Sequence, residues 1–455
     1  MNNWLDEEIF HIEIGDKRLN KRLELLVEQF SQMPCSSIPE ACGSRASTKA
    51  AYRFFDSKRV ELVAVQRSFY EATRERVAQH RMVFVAQDTT GLDFSSHQNT
   101  KGMGYLDNGL CQGLKVHSSF AISPDGVPLG LVDQQFIVRD HHQYGKRKKR
   151  RQKATHEKES QRWLTAVSHS EERIGTSTNI ITIADREADI YDLFAQKRRA
   201  GHELLVRAAH NRCTTGEPKL LFDKLLKAPI AGYAEISIRR ARDRAPRQAR
   251  VEIRFLRVEI SAPRRRAHEQ LPAIALSVIL VEEVAAPAGV KPVRWLLLTS
   301  LVVTSFEEAF QCVKWYSMRW LIERYHYVLK SGCQVEELQL EEAERIKRAV
   351  AVYCIVAWRL LYLTYLARVE PETSSAHILE AHEWEALHCF VHKTANPVTT
   401  APTVRETVSM IASLGGFLGR KSDGNPGVKV LWRGWRRLND IAQSYIIFKK
   451  DVGNA

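Results

Sequence analysis

Asn179-Ile180-Ile181-Thr182-Ile183-Ala184 runs directly into Asp185-Arg186-Glu187-Ala188-Asp189, and this stretch decides the fold. The compact apolar run predicts a strand, and the acidic cluster after it predicts a strand end. An earlier segment has the same form: Met82-Val83-Phe84-Val85-Ala86 reads as a strand and is followed by Gln87-Asp88-Thr89-Thr90. Between the two lie strand patterns at Val116 to Ser123 and Val127 to Arg139. The turn Ser123-Pro124-Asp125-Gly126 joins them, where Pro pre-sets one dihedral and Gly allows the reversal. A helix is predicted from Glu157 to about Ser170, with Trp163, Leu164 and Val167 on one face. After Asp185 come a helix from about Asp189 and a strand from Glu203 to Ala208.

Three strands, helix, strand, helix, strand is the order of a ribonuclease H-like α/β core, which lacks only a last helix. That helix is expected late, at about Phe306 to Lys330. The intervening residues alternate as strands at Tyr233 to Arg240, Arg250 to Ile260, Ile274 to Val284 and Trp295 to Val303, so a β-rich insertion interrupts the core. Arg250, Arg254 and Arg257 are expected on its outward face. The chain ends read as helical. The predicted division is an N-terminal helical domain 1–76, core 77–210, insertion 211–303, the rest of the core 304–368 and a C-terminal helical domain 369–455.

The charge balance points to a polyanion. Lys and Arg number 67 against 53 Asp and Glu, a formal net charge of +14 on 455 residues, and nucleic acid is the commonest partner of such a protein. Ribosomal or membrane-surface binding would give the same bulk number. Lys146 to Lys153 carries seven basic residues in eight and is expected to contact phosphates without reading bases. Lys49 and Arg53, beside Tyr52, Phe54 and Phe55, mark an amphipathic segment that reads either as a DNA-binding helix or as a solvated face. The eight cysteines form no CxxC pair and read as reduced thiols, not a disulfide frame or zinc site. The N-terminus lacks the basic start and apolar run of a signal peptide. Arg359 interrupts the most apolar stretch, Ala349 to Leu366, so a buried core helix is expected there rather than a membrane span.

Asp88 and Asp185 follow strands that are neighbours in this fold, so their carboxylates are expected to converge. Either alone is an ordinary strand-end aspartate or helix cap. Two-metal phosphodiester chemistry needs such carboxylates, holding two Mg²⁺ ions roughly 3.5–4 Å apart. On the late helix, Tyr316, Arg319, Glu323 and Lys330 are spaced by three, four and seven, within an arc of roughly 60° on a straight helix. Leu431, Trp432, Trp435, Leu438, Ile441 and Tyr445 form a near-heptad stripe, suited to a partner helix or to packing inside the monomer.

These residues resemble bacterial cut-and-paste insertion-sequence transposases of the DDE class with the YREK signature, the insertion-sequence-four family that includes the kanamycin-transposon enzyme. Tyr316, Arg319, Glu323 and Lys330 fit that signature, and Asp88-Thr89-Thr90 and Asp185-Arg186-Glu187-Ala188-Asp189 are similar to the other two catalytic motifs. The likeness extends to Ala51-Tyr52-Arg53-Phe54, Glu157-Lys158-Glu159-Ser160, Trp295-Leu296-Leu297-Leu298-Thr299-Ser300 and Leu414-Gly415-Gly416-Phe417. It implies metal binding by Asp88, Asp185 and Glu323, with two Mg²⁺ ions per site and Mn²⁺ as a substitute. It implies phosphate contacts from Tyr316, Arg319, Lys330 and Arg207, and a base-stacking role for Trp295. It also implies that the N-terminal domain binds double-stranded transposon ends, that C-terminal helices form a homodimer in the paired-end complex, and that target DNA is the second substrate. The protein is thus expected to be bacterial, cytoplasmic and DNA-associated, with no membrane partner. Phe136 before Arg139 departs from the family, which often has a Trp there. The rival readings are a non-transposing nuclease on the same core and a DNA-binding repressor that no longer cuts.

Overall fold

The computed structural model describes residues 4–146, 153–238 and 245–452, without the side chains of 450–452. Most of the basic run at 146–153 lies outside the described residues. Their strands are β1 (Met82–Asp93), β2 (Gly104–Tyr105), β3 (Gln112–Ile122), β4 (Pro128–Ile137), β5 (Asn179–Ala184), β6 (His202–Arg207), β7 (Gly232–Ile238), β8 (Arg247–Ile260), β9 (Ile274–Glu283) and β10 (Arg294–Thr299). The chain divides into two compact units. One comprises Met1–His80, Thr89–Lys146 and Leu321–Ala455; the other comprises Arg81–Asp88 and Arg147–Trp320.

The second unit is built on a mixed sheet. Its order is β1-β5-β6-β10-β9-β8-β7, with β1 contributing its residues up to Asp88. β1, β5 and β6 run parallel, and β10, β9, β8 and β7 continue the sheet antiparallel. The strands β7 to β10 therefore extend the sheet of β1, β5 and β6 through the β6–β10 pairing. On one face, Ala184, Leu204, Val206, Val278, Leu280 and Leu298 pack with Trp163 and Val167 of the helix Gln161–Ile174 and with Leu221 and Leu225 of Leu221–Lys227. Side chains of opposite parity point to the other face, where Phe84 meets Trp315 of the helix Phe306–Ser317. Arg250 and Arg257 are exposed on β8, while Arg254 is half-buried and donates to Ala228 O.

In the first unit, β3 and β4 form the expected hairpin, with Gly126 N donating to Ser123 O at 3.0 Å and Gly126 at φ +87°. The helix Ala343–Val369 is its core element. Its apolar window has a mean hydropathy of 1.7 and is 89% buried, and Trp358 Nε1 donates to Pro128 O of β4 at 3.0 Å. Arg359, which interrupts the apolar run, is itself buried, sandwiched over the rings of Trp4 and Trp435, and donates to Ile378 O. The helices Val404–Leu414 and Val428–Val452 cross at Gly415 and Gly434. A Cβ on Gly434 would stand 1.8 Å from Ile411 O, so only glycine permits this approach. All eight cysteines are free.

Candidate active site and DNA-facing surfaces

β1 and β5 lie side by side in parallel, with Gln87 opposite Ala184. The next residue of each is an aspartate, so Asp88 and Asp185 occupy matching places at the same edge of the sheet. The apolar run predicts a first strand that ends at Ala86. The structure carries β1 on to Asp93, so Asp88 sits inside a strand, with its side chain 19% exposed. Asp185 does end its strand. It caps the short turn Arg186–Ala188, with Oδ1 accepting from Glu187 N at 2.9 Å. One carboxylate therefore serves the turn and still presents a second oxygen.

Asp189, the last residue of the same motif, has its carboxylate wholly engaged. Its Oδ1 accepts from Arg212 Nε at 2.7 Å, and its Oδ2 accepts from Ala209 N and His210 N. This clamp ties the turn after β5 to the end of β6. Arg212 was not read from sequence, because nothing in its spacing links it to Asp189.

Cations and an aromatic pair stand near the aspartates. Arg319 Nη1 lies 3.8 Å from Asp88 Oδ2. Tyr316 is buried, at 4% exposure; burial raises its phenol pKa, while Arg319 and Arg207 oppose the shift. Its hydroxyl and Arg207 Nε are both buried, and neither makes a hydrogen bond of good geometry among the described residues. Burial lowers the Arg207 pKa, and Tyr316 opposes that shift. Arg207, Arg319 and the Tyr316 hydroxyl thus interact with one another, and phosphate oxygens are the further acceptors such a cluster suits. Trp295 is half-buried and meets Tyr316 edge-on, with ring centroids 5.6 Å apart; its other neighbours include Ile238, Ala249 and Val293.

The late helix is not continuous. It ends at Ser317, restarts at Trp320, and passes into a π-helical turn at Val328–Gly332. The shared face expected of Tyr316, Arg319, Glu323 and Lys330 is therefore not a property of one straight helix. The boundary of the two compact units falls at this break. Glu323 belongs to the first unit, exposed in the first turn of Trp320–Tyr327. Lys330 donates to Gly91 O at 2.8 Å and pairs with Glu336 at 3.0 Å, holding the π-helical turn to β1. Among the described residues no group of three or more His, Cys, Asp and Glu side chains is placed to hold a metal ion.

At the N-terminal end, Ser44 caps the helix Arg45–Asp56. Phe54 and Phe55 point into the core, leaving Lys49 and Arg53 exposed. A cavity of about 750 Å³ is lined by Arg45, Thr48, Lys49, Tyr52 and Arg53 of this helix. At the C-terminal end, Leu431, Trp432, Trp435 and Leu438 are buried inside the first unit, so that part of the stripe packs within the chain. Beyond it, Ile447 is 62% and Phe448 68% exposed.

Residues 1–60 match the family described as Transposase DNA-binding, and residues 355–447 match the Transposase Tn5 dimerisation domain. A DNA-binding module at one end and a dimerisation module at the other define a transposase. The chain thus carries the two end modules of a Tn5-like transposase, which implies DNA transposase activity.

Proposed function

We propose that this protein is a cut-and-paste DNA transposase with a ribonuclease H-like core, which binds double-stranded transposon ends, cleaves them and joins the freed 3′-ends to target DNA. The observation that carries this reading is the matched placement of Asp88 and Asp185 on adjacent parallel strands, with Arg319, Tyr316 and Arg207 nearby. Carboxylate oxygens are the hard donors that Mg²⁺ takes, and Mn²⁺ is the expected substitute. Asp88, Asp185 and Glu323 would hold two ions. When bound, Mg²⁺ supplies Lewis-acid activation and charge neutralisation at the scissile phosphate.

The chain's own groups do the positioning. Arg319, Arg207 and the Tyr316 hydroxyl bind non-bridging phosphate oxygens near the cleaved end, and Lys330 is a further phosphate contact that the family resemblance implies. Lys49 and Arg53 contact end DNA. Water attacks one strand, the freed 3′-hydroxyl attacks the opposite strand to close a hairpin, and water reopens it before the 3′-ends attack target DNA. A homodimer holds the two ends together. An electrophoretic shift and cleavage assay on DNA carrying the element's inverted repeats tests this. Binding is expected with or without Mg²⁺, and cutting through a hairpin only with it. Binding with no cutting under any divalent ion would refute it.

Trp295 is the base-stacking residue of this scheme. A hairpin strains stacking at the duplex end, and one extruded base on an aromatic ring relieves it by roughly 1–3 kcal/mol. Trp295→Ala should leave the first nick fast and slow hairpin closure roughly 5- to 150-fold. An abasic nucleotide near the end should restore part of that rate. If nicking and closure fall together with the thermal midpoint, Trp295 is only a packing residue.

A further inference from the structure

Within the second unit, a cleft of about 710 Å³ begins at Arg186 and Glu187, the two residues after Asp185, and extends to the turn Arg264–Glu269. Three carboxylates line it, and each is matched. Glu187 pairs with Arg162, Asp189 with Arg212, and Asp192 with Arg266 at 2.6 Å. Four further cations line the same space: Lys158, Arg186, Arg264 and Arg265. None of the four is in an ion pair among the described residues. Arg266, held by both Asp192 and Glu269, fixes the turn that carries Arg264 and Arg265. Lys158 is pushed below the usual lysine range by partial burial and by the nearby Arg265 and Arg266. Such crowding of like charge costs free energy in the empty protein and is relieved by an anion.

We propose that this cleft binds the sugar-phosphate backbone of a single DNA strand at the side of Asp185. The inference rests on the nuclease reading for its purpose, but not for its test. A space of this size accepts a few nucleotides of one strand and is too small for a duplex. The large aromatic rings are closed: Trp163 is 1% and Tyr191 4% exposed, so neither offers a face to a base, and the exposed ring on the lining is the imidazole of His210. Recognition is therefore of phosphates and is indifferent to sequence. Arg186 places one end of the cleft next to a catalytic carboxylate, which a strand leaving the cut would pass.

The test uses the full chain in EDTA, where no cutting occurs, so the result is independent of the catalytic assignment. Binding of a labelled single-stranded oligonucleotide of mixed sequence is followed by anisotropy across a salt series, with a duplex of equal length in parallel. Arg264→Ala/Arg265→Ala should weaken single-strand binding about tenfold at low salt and reduce the salt slope by about 1.4, the value for two phosphate contacts on a single strand. Duplex binding should stay within about twofold. Arg264→Lys/Arg265→Lys should recover most of the loss, and Arg250→Ala/Arg257→Ala, exposed on β8, should change nothing. Unchanged single-strand binding would overturn the proposal. So would equal losses for single strand and duplex, equal losses in the β8 control, or saturable binding of tripolyphosphate with none of the oligonucleotide.

Discussion

Asp88→Asn, Asp185→Asn and Glu323→Gln are each expected to abolish strand cleavage and to leave binding of the transposon end within about twofold. Each change removes a metal-binding charge and keeps the shape. A metal ion supplies several kcal/mol to the transition state, so losing a ligand should slow cutting about a thousandfold or more. Glu323 is exposed and Asp88 partly so, and Asp88→Asn also takes a counter-charge from the mostly buried Arg319, 3.8 Å away. Asp185 also caps a turn through Glu187 N, and asparagine caps about as well as aspartate. Asp189 is the contrasting case. Its wholly engaged carboxylate predicts that Asp189→Asn loses the Arg212 clamp and thermal stability together. A variant of the first three that cuts at a near-normal rate in Mg²⁺ would remove that residue from the catalytic set.

Ile447→Asp/Phe448→Asp is expected to abolish paired-end complexes while single-end binding persists. The two side chains are the exposed apolar end of a helix whose earlier stripe is buried in its own unit. Burying two such side chains in a partner is worth about 3 kcal/mol or more, so their loss should weaken association at least about a hundredfold. Substitution is the right tool here. Deleting everything after about Ala401 would remove Trp432 and Trp435, uncover Tyr327 and Arg359 beneath them, and would test folding instead. Native gels with end DNA separate one-end from two-end species, and two-end complexes at normal yield would place the dimer contacts elsewhere.

Much of this was legible in the sequence where periodicity and turn chemistry agree. Met82 to Ala86 and Asn179 to Ala184 read as strands because they are compact apolar runs, and both are buried. Ser123-Pro124-Asp125-Gly126 named its own turn. The continuation of β1 through Gln87-Asp88-Thr89-Thr90 was not legible, because polar residues there look like a strand end. In the fold that half-buried stretch continues to pair, and Thr89 Oγ1 reaches His117 Nδ1 at 2.9 Å. The helix break at Met318 and Arg319 carries neither glycine nor proline, so spacing alone predicted one straight helix. Leu431 to Leu438 read equally as a partner seam or internal packing, since periodicity records that a face is buried but not against what. Arg264 to Arg266 gave no local sign of a site, because a run of arginines reads as solvated surface until the fold sets it beside Arg186.

If Asp88, Asp185 and Glu323 share the two divalent ions, affinity cleavage of the polypeptide reads that sharing. Ferrous iron, with ascorbate and peroxide, generates hydroxyl radicals where it binds and cuts the backbone close by. The protein, bound to end DNA, should be cut near residues 88, 185 and 323, and excess Mg²⁺ should suppress all three cuts in parallel. Cuts that persist in excess Mg²⁺, or cutting near 88 and 185 with none near 323, would contradict the three-carboxylate site.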